Sequence, residues 1–276
     1  MQYKRILTVQ DISCVGQCSL TVALPILSAC GQETCVLPTA VLSTHTGGFG
    51  VPAVCPVENL TEMWHHWQAQ GITFDAILTG YLGSVSAIET AAEIMDALLS
   101  ADGVRIVDPA MADNGKLYAG FDENYVRAMG ELCRKADVIL PNITEAAMLS
   151  GLPYRETLTE EYVQKLLSGL NHKCTVLTGV GYTPSEMGIV LRENGQTRRY
   201  RHARMEKSYH GTGDIFAACF TGAWMGGKSK FESVKIAADF TRLCIENTQN
   251  APAHWYGVRF ETVLPALMEV LGQDGK

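Results

Sequence analysis

Short hydrophobic runs rich in β-branched residues alternate with amphipathic stretches along most of the chain. The runs predict strands at residues 5–10, 34–41, 74–79, 104–107, 138–140 and 174–178. The stretches between them predict helices at residues 19–29, 60–70, 87–99, 124–135, 145–150 and 160–170. Strands that alternate with helices in this way are typical of right-handed βαβ units, so we expect a parallel sheet covered by helices on both faces.

The pattern changes after residue 180. Asn194-Gly195 lies between two strand-like runs at residues 187–191 and 198–202, which predicts a β-hairpin. Helices are predicted to close the chain at residues 214–225, 231–247 and 260–271. We therefore predict one α/β domain over residues 1–276, a three-layer α/β/α structure whose central, mostly parallel sheet has an antiparallel edge.

Composition supports a folded, acidic protein. Of the 276 residues 47% are hydrophobic and 18% charged, so a packed core is expected. A net charge of −7 repels nucleic acid and anionic membranes, and we expect neither as a partner. An anionic substrate would need a local positive site. The basic run from Arg198 to Arg204 is predicted to be a solvated edge strand, with the alternative that one member contacts a phosphate.

The cysteines and the N-terminal sequence indicate a cytoplasmic location. The nine cysteines are scattered and form no CxxC pair, which is typical of reduced thiols rather than of a disulfide framework or a zinc site. The first strand is too short for a signal peptide, and the longest apolar stretch, at residues 18–30, is too short to span a membrane.

Small, polar or acidic residues follow the predicted strands at their carboxyl ends. In open α/β sheets ligands bind at this edge. Each residue alone is compatible with a turn, but together they indicate a binding site. They are Asp11, residues 44–48, Gly80-Tyr81, Asp108-Pro109, Pro141-Asn142 and residues 178–181.

Carboxylates at this edge are candidate Mg²⁺ ligands. Asp108, Asp113 and Glu145 could hold the ion directly or through water. The alternatives are a turn residue for Asp108 and a first-turn helix acid for Glu145, with Asn142 or Thr144 as the N-cap.

The run Gly211-Thr212-Gly213-Asp214 precedes a strongly apolar helical pattern. Two glycines allow the backbone to turn tightly and approach a ligand. The free N–H groups of the helix start then form an anion site suited to a transferring phosphoryl group. Asp214 is predicted to be a base for an attacking hydroxyl. The alternative is a carboxylate that only complements the helix dipole.

A second glycine-rich run, Gly222 to Ser229, matches the Walker A pattern. That motif needs a strand before its loop. Because the preceding residues predict a helix, we interpret Gly226-Gly227 as the end of this helix. The first predicted strand is not followed by GxGxxG, which argues against a Rossmann dehydrogenase.

Several segments resemble motifs of the pyridoxal (vitamin B6) kinases, members of the ribokinase-like superfamily. The resemblance covers most of the chain. The segments are Ser-Thr-His-Thr-Gly-Gly at 43–48, Gly-Tyr-Leu-Gly-Ser at 80–84, the run Val107 to Tyr118, Pro-Asn-Ile-Thr-Glu at 141–145 and Gly-Thr-Gly-Asp at 211–214.

The resemblance implies a cytoplasmic ATP- and Mg²⁺-dependent kinase that phosphorylates the 5′-hydroxymethyl group of pyridoxal, pyridoxamine or pyridoxine. Members are commonly homodimers and often respond to K⁺. Asp214 would be the catalytic base, and residues 111–118 a flap over the phosphates. The other implied roles are an anion hole at Gly211, Thr212 and Gly213, a metal site at Asp108 and Glu145, a vitamer site at Asp11, Thr46 and Tyr81, and a nucleotide site at Asp113, Asn142, Thr178, Gly179 and Gly181.

The chain departs from the family pattern in places. Many B6 kinases have Gln-Ser-His after the first strand, with the serine on the pyridine ring, whereas this chain has Gln10-Asp11-Ile12. A carboxylate there could accept a proton from the ring nitrogen or the 3-hydroxyl. Ala110 and Ala112 replace the usual Val and Gly of the flap, and Leu140 replaces the Thr before the Pro-Asn pair.

Two alternative functions remain at this point. A hydroxymethylpyrimidine kinase of thiamine synthesis has the same fold. It typically carries Gly-Thr-Gly-Cys where this chain has Gly-Thr-Gly-Asp, with Asp214 in place of the cysteine. A catalytically silent ligand-binding protein would also keep the fold, but the complete glycine turn with its acid argues against it.

Overall fold

The computed structural model describes residues 2–205, 207, 209–249, 251 and 253–272. Within this part of the chain, nine strands form one sheet in the order β11-β10-β9-β8-β5-β4-β1-β2-β3, and β6 and β7 form a separate hairpin. The strands are β1 (Arg5–Val15), β2 (Glu33–Thr44), β3 (Val54–Pro56), β4 (Phe74–Thr79), β5 (Leu99–Val107), β6 (Ala112–Asp113), β7 (Lys116–Leu117), β8 (Val138–Ile139), β9 (Cys174–Leu177), β10 (Glu186–Glu193) and β11 (Gln196–Ala203).

Helices cover the sheet on both faces. They are α1 (Leu20–Ala29), α2 (Leu60–Ala69), α3 (Val85–Ala97), α4 (Glu123–Lys135), α5 (Ile143–Ser150), α6 (Glu160–Leu170), α7 (Thr212–Met225), α8 (Lys230–Gln249) and α9 (Leu264–Gly272), with a 3₁₀ turn at Glu261–Val263. No helix in the described ranges is both long and apolar enough to cross a bilayer.

The strand pairing confirms the predicted sheet. The pairs from β2 through β1, β4, β5 and β8 to β9 are parallel. The β10–β11 hairpin, with Asn194-Gly195 at its turn, forms the predicted antiparallel edge. The short strand β3 pairs antiparallel with β2 at the opposite edge, which the sequence did not predict.

Alternation along the central strands builds a separate core on each face. Ile6 and Leu78 pack in the core that contains α1, α7 and α8, while Leu7 and Ile77 pack in the core that contains α3 and α4. All four side chains are fully buried. Successive residues of a strand point to opposite faces, so strands that are apolar on both faces require the three-layer arrangement.

Several element boundaries differ from the predicted ones. β1 continues five residues beyond residue 10, with a register shift between Gln10 and Ile12, because its extension pairs with β2 up to Thr44. Ser84 caps α3 by accepting a hydrogen bond from the backbone N–H of Ala87, so this helix begins at Val85 rather than at residue 87. It ends at Ala97 rather than at residue 99, where β5 begins. Helix α7 begins at Thr212, two residues before the predicted start, and ends at Met225 as predicted. Gly222 therefore lies inside a helix, which confirms that the Walker-like run is not a phosphate-binding loop.

Candidate active site

The structure brings four carboxyl groups together at the edge of the sheet where the parallel strands end. The charge of Asp11 raises the pKa of Asp214, and that of Asp214 raises the pKa of Asp108. Burial raises the pKa values of Asp108 and Glu145, and the charge of Asp108 raises that of Glu145 further. Carboxyl groups that raise one another's pKa values are close neighbours, and four of them in one place would favour a bound cation.

The turn at Gly211 sets the start of α7. Gly211 is the N-cap residue with φ 82°, and a Cβ placed on it would lie 2.1 Å from the carbonyl oxygen of Gln17. Only glycine therefore fits at this position. A Cβ placed on Gly213 would meet no atom within 4 Å, so the first turn of α7 is open on this side. Thr212 anchors the turn through its hydroxyl, which donates to the carbonyl oxygen of Tyr209 at 3.2 Å.

Asp214 lies in that first turn and is half-buried. Loss of solvent around the carboxyl raises its pKa to about 7, the charge of Asp11 raises it too, and the backbone N–H of Ser19 opposes the rise by donating to it. A base whose pKa lies near neutral pH has a strong drive to accept a proton while a good fraction of it is ionised. The predicted catalytic acid–base residue therefore has the chemistry of a general base.

Asp11 lies in β1, at the register shift of this strand. Its side chain is 3% exposed, and its carboxylate accepts hydrogen bonds from the hydroxyl of Ser13 at 3.1 Å and from Ser19. Its backbone N–H donates to the carbonyl oxygen of Tyr81 at 3.2 Å. Burial raises the pKa of Asp11, and its charge raises the pKa of Tyr81. Two predicted vitamer contacts, Asp11 and Tyr81, are thus neighbours at this edge.

The loop after β2 carries Thr46, an exposed residue between two anchored neighbours. The Nε2 atom of His45 donates to the carbonyl oxygen of Tyr256 at 2.5 Å, while its Nδ1 atom accepts from the backbone N–H of Gly47 at 3.0 Å. These two bonds fix the tautomer and the orientation of the imidazole. A Cβ placed on Gly47 would overlap the ring of His210, which precedes Gly211. The loop therefore packs directly beside the predicted anion hole.

Glu145 and Asn142 form a capping box at the start of α5. The backbone N–H of Glu145 donates to Asn142 Oδ1 at 2.9 Å, and the backbone N–H of Asn142 donates to Glu145 Oε2 at 2.8 Å. Glu145 also accepts from the backbone N–H of Met111 at 3.1 Å, and Asn142 Nδ2 donates to the carbonyl oxygen of Ala112 at 2.8 Å. The predicted N-cap role of Asn142 is confirmed, and both side chains also hold the β6–β7 hairpin.

The same carboxyl groups are suited to a divalent ion. Among the described residues, no three His, Cys, Asp or Glu side chains are arranged to hold a metal by themselves. A Mg²⁺ ion between Asp108 and Glu145 would complete its shell with phosphate oxygens and water, which it prefers to an all-protein cage. Burial and the charge of a neighbouring carboxylate raise the pKa of each of these two carboxyl groups, and a bound cation would lower both pKa values.

The predicted nucleotide residues lie farther along the same edge. The backbone N–H of Thr178 donates to the carbonyl oxygen of Pro141 at 2.9 Å, which joins the turns after β8 and β9. Gly179 has φ 73°, and a Cβ on Gly181 would lie 2.5 Å from the carbonyl oxygen of Glu186. Asp113 is exposed at the β6–β7 turn, where it accepts from the backbone N–H of Asn114 at 2.8 Å.

Tyr118 belongs to the site, although the sequence analysis gave it no role beyond membership of the flap. Burial raises its pKa far above the ordinary tyrosine value, and the charges of Glu145, Asp113, Asp108 and Asp214 raise it further. The hydroxyl therefore keeps its proton at neutral pH, which leaves it able to donate a hydrogen bond. Its ring lies 6.4 Å from that of Tyr81, and Phe121 stacks on Tyr81 at 5.3 Å. The sequence could have indicated this role, because Tyr118 is an aromatic residue that follows the turn carrying Asp113.

Cys18 and Ser19 are two further neighbours of Asp214 that sequence reasoning missed. Ser19 donates its backbone N–H to Asp214, and its own backbone has a positive φ of 55°. Burial raises the pKa of the Cys18 thiol, and the charges of Asp214 and Asp11 raise it further. A neutral thiol therefore lies beside the Asp214 carboxyl group. These residues follow β1 in a segment that the sequence predicted as a turn and the start of a helix.

Comparison with known proteins places this arrangement among small-molecule kinases. Residues 24–258 match the family described as phosphomethylpyrimidine kinase. The crystal structure of pyridoxal kinase from Lactobacillus plantarum is 34% identical with a TM-score of 0.89, covering 98% of both chains. A putative phosphomethylpyrimidine kinase from Bacteroides thetaiotaomicron, solved with pyridoxal, is 33% identical with a TM-score of 0.89, covering 96% of this chain and 95% of that one. The hydroxymethylpyrimidine/phosphomethylpyrimidine kinase of Bacillus subtilis is 29% identical over 76% of this chain and 77% of its own length.

Proposed function

The chain belongs to the phosphomethylpyrimidine kinase family, of ribokinase-like fold, and within it we propose that the protein transfers the γ-phosphoryl group of ATP to the 5′-hydroxymethyl group of pyridoxal, pyridoxamine or pyridoxine. The observation that carries this proposal is Asp214 in the open first turn of α7, with a pKa of about 7. The resemblance to a pyridoxal kinase over 98% of the chain, and to a relative solved with pyridoxal, supports the choice of acceptor.

The proposed reaction uses the chain's own groups for binding, positioning and proton transfer. Asp214 takes the proton of the substrate hydroxyl while the oxygen forms its bond to the γ-phosphorus. The bond from that phosphorus to the bridging oxygen breaks, and ADP leaves. Backbone N–H groups of Gly211, Thr212 and Gly213 donate to the oxygens of the migrating group, where charge is concentrated. Asp108 and Glu145 would hold Mg²⁺, which when bound neutralises charge on the phosphate oxygens.

The two substrates are proposed to occupy opposite ends of the same edge. The vitamer ring would lie against Tyr81 and Thr46, with Asp11 facing its polar atoms. The charge of Asp11 acts on both Tyr81 and Asp214, and Gly47, which follows Thr46, packs against the ring of His210. The nucleotide would lie along the turns after β8 and β9, lined by Asn142, Thr178, Gly179 and Gly181 and approached by Asp113 from the flap.

Quaternary structure and ion dependence are further proposals that rest on the resemblance. A homodimer would be detected by sedimentation velocity. A response to K⁺ would appear as a change in turnover when K⁺ replaces Na⁺ at constant ionic strength.

Phosphorylation of hydroxymethylpyrimidine is the second candidate function. The family description and the Bacillus subtilis relative favour it. Asp214 stands where the thiamine-pathway enzymes typically have cysteine, which favours the vitamer. An ADP-release assay with the three vitamers, hydroxymethylpyrimidine and a panel of sugars separates the candidates. We expect the highest kcat/KM with a vitamer. A higher kcat/KM with the pyrimidine, or no ADP release with any acceptor, would overturn the proposal.

A further inference from the structure

The arginines of the basic run from Arg198 to Arg204 differ in what their side chains contact. Those within β11 lie against partners on the body of the protein, so their charges or planar faces are already used. These pairs are Arg198 over the ring of Phe231 at 5.5 Å, Arg199 with Glu160, and Arg201 with Glu186 at 4.0 Å. Arg204, which follows the strand, is exposed. Among the described residues, no carboxylate lies within ion-pair distance of Arg204.

Arg204 lies beside the turn after β9. Its backbone N–H donates to the carbonyl oxygen of Ser185 at 2.8 Å, which fixes where the side chain starts. A Cβ placed on Gly181 would lie 2.9 Å from the Nη2 atom of Arg204. The guanidinium therefore covers the glycine of a turn at the carboxyl edge of the sheet, where ligands of open α/β folds bind.

The electrostatics of this edge require a cation for a nucleotide. The net charge of the chain is −7, and Asp11, Asp108 and Asp214 lie at the rim, so these side chains offer no positive charge to an approaching polyphosphate. Guanidinium groups bind phosphate oxygens through paired N–H donors, with specific geometry. The exposed guanidinium of Arg204, beside the turn that contains Gly181, supplies a positive charge for phosphate at the nucleotide end of the edge.

We propose that Arg204 pairs with a phosphate of the bound nucleotide from the side of Gly181. This inference rests on the proposed use of a nucleoside triphosphate and adds a residue that the family resemblance did not assign. Contact with phosphate, rather than stacking on the base, follows from the charge of the guanidinium and from the acidic surroundings that it offsets.

The test compares Arg204→Gln with Arg201→Gln, which removes the same charge from a nearby position in β11, at a side chain already facing Glu186. Isothermal titration calorimetry would measure the affinity of the full chain for adenosine, MgADP and MgATP. We expect Arg204→Gln to weaken MgADP and MgATP about tenfold, the loss of one charge-assisted contact, and to change adenosine by less than about twofold. Arg204→Lys should recover part of the loss, and Arg201→Gln should bind all three ligands like the wild type.

Each outcome decides the inference. Wild-type affinity for MgADP and MgATP in Arg204→Gln would overturn it, and so would an equal loss for adenosine, because that would place the guanidinium on the base. The measurement is independent of phosphoryl transfer. A wild-type protein that binds MgADP but phosphorylates no vitamer would refute the proposed function while leaving the Arg204 contact supported or refuted by its own data.

Discussion

Replacing Asp214 by asparagine should separate catalysis from stability. The change keeps the size of the side chain and removes the group that accepts the proton, so we expect turnover to fall by roughly 10²–10⁴-fold, the usual contribution of a positioned base. The kcat/KM of the wild type should rise with pH up to about 7, where the Asp214 carboxyl has lost its proton, and then level off. The variant should lack this rise.

The same substitution should stabilise the fold at neutral and alkaline pH. Between an ordinary Asp pKa of 3.8 and the value of about 7 in the native protein, the native carboxyl keeps a proton that the unfolded chain has released. The stability of the wild type therefore falls as pH rises through this interval and stays lower above it. At about 1.4 kcal/mol per pH unit, Asp214→Asn should gain up to about 4 kcal/mol above pH 8 and almost nothing near pH 4.

Two measurements check this prediction. Coupled ADP-release assays from pH 5.5 to 9 would give kcat/KM, and urea unfolding at pH 4, 6 and 8 would give the free energy of unfolding of both proteins. Asp102→Asn, which changes an exposed acid of β5, serves as the matched control and should alter neither quantity. Wild-type turnover in a folded Asp214→Asn protein would remove Asp214 from the mechanism. A stability difference that does not grow with pH would refute the argument from burial.

Three further substitutions test other parts of the site. Gly211→Ala should abolish activity and destabilise the fold by several kcal/mol, since its Cβ would overlap the Gln17 carbonyl, whereas Gly195→Ala, with the same φ and open space around it, should cost only about 1 kcal/mol in urea unfolding. Equal losses would show that the overlap is relieved by movement. Tyr118→Phe should lower kcat by roughly tenfold with little change in vitamer KM, as loss of a single donor to the phosphoryl region would do; an unchanged kcat in steady-state assays would exclude that role. Asp11→Ser should change the ratio of kcat/KM among the three vitamers, and an unchanged ratio would show that Asp11 does not discriminate between them.

Much of the site was predictable because a short stretch of sequence gives both the chemistry of a residue and its place at the end of a strand. A polar residue that follows an apolar run lies at the end of a strand, and parallel strands end at one edge, so Asp108 and Asn142 were expected at the rim. The capping role of Asn142 needed only the spacing to Glu145. The glycine requirement at Gly211 was also expected from the sequence, since a tight turn into a helix restricts side chains.

Contacts between distant segments were not predictable. β1 continues past residue 10 because β2 offers it a partner, which is a property of the pair rather than of either sequence. Tyr118 reaches the acids only because the β6–β7 hairpin folds back, with the backbone N–H of Tyr118 bound to the carbonyl oxygen of Met111 at 2.9 Å. The bond from His45 to Tyr256 joins residues 211 positions apart, and no periodicity in either segment signals it.

That last contact bears on how the protein becomes active during synthesis. The carbonyl oxygen of Tyr256 fixes His45, and Glu261 binds Gln17, whose own carbonyl oxygen lies against Gly211. A nascent chain that has passed residue 214 already contains the whole catalytic sequence, yet the loops beside it lack their supports until residue 261 has left the ribosome. Phosphoryl transfer should therefore begin late in translation. Fragments that end before Tyr256 should fold but should not catalyse phosphoryl transfer.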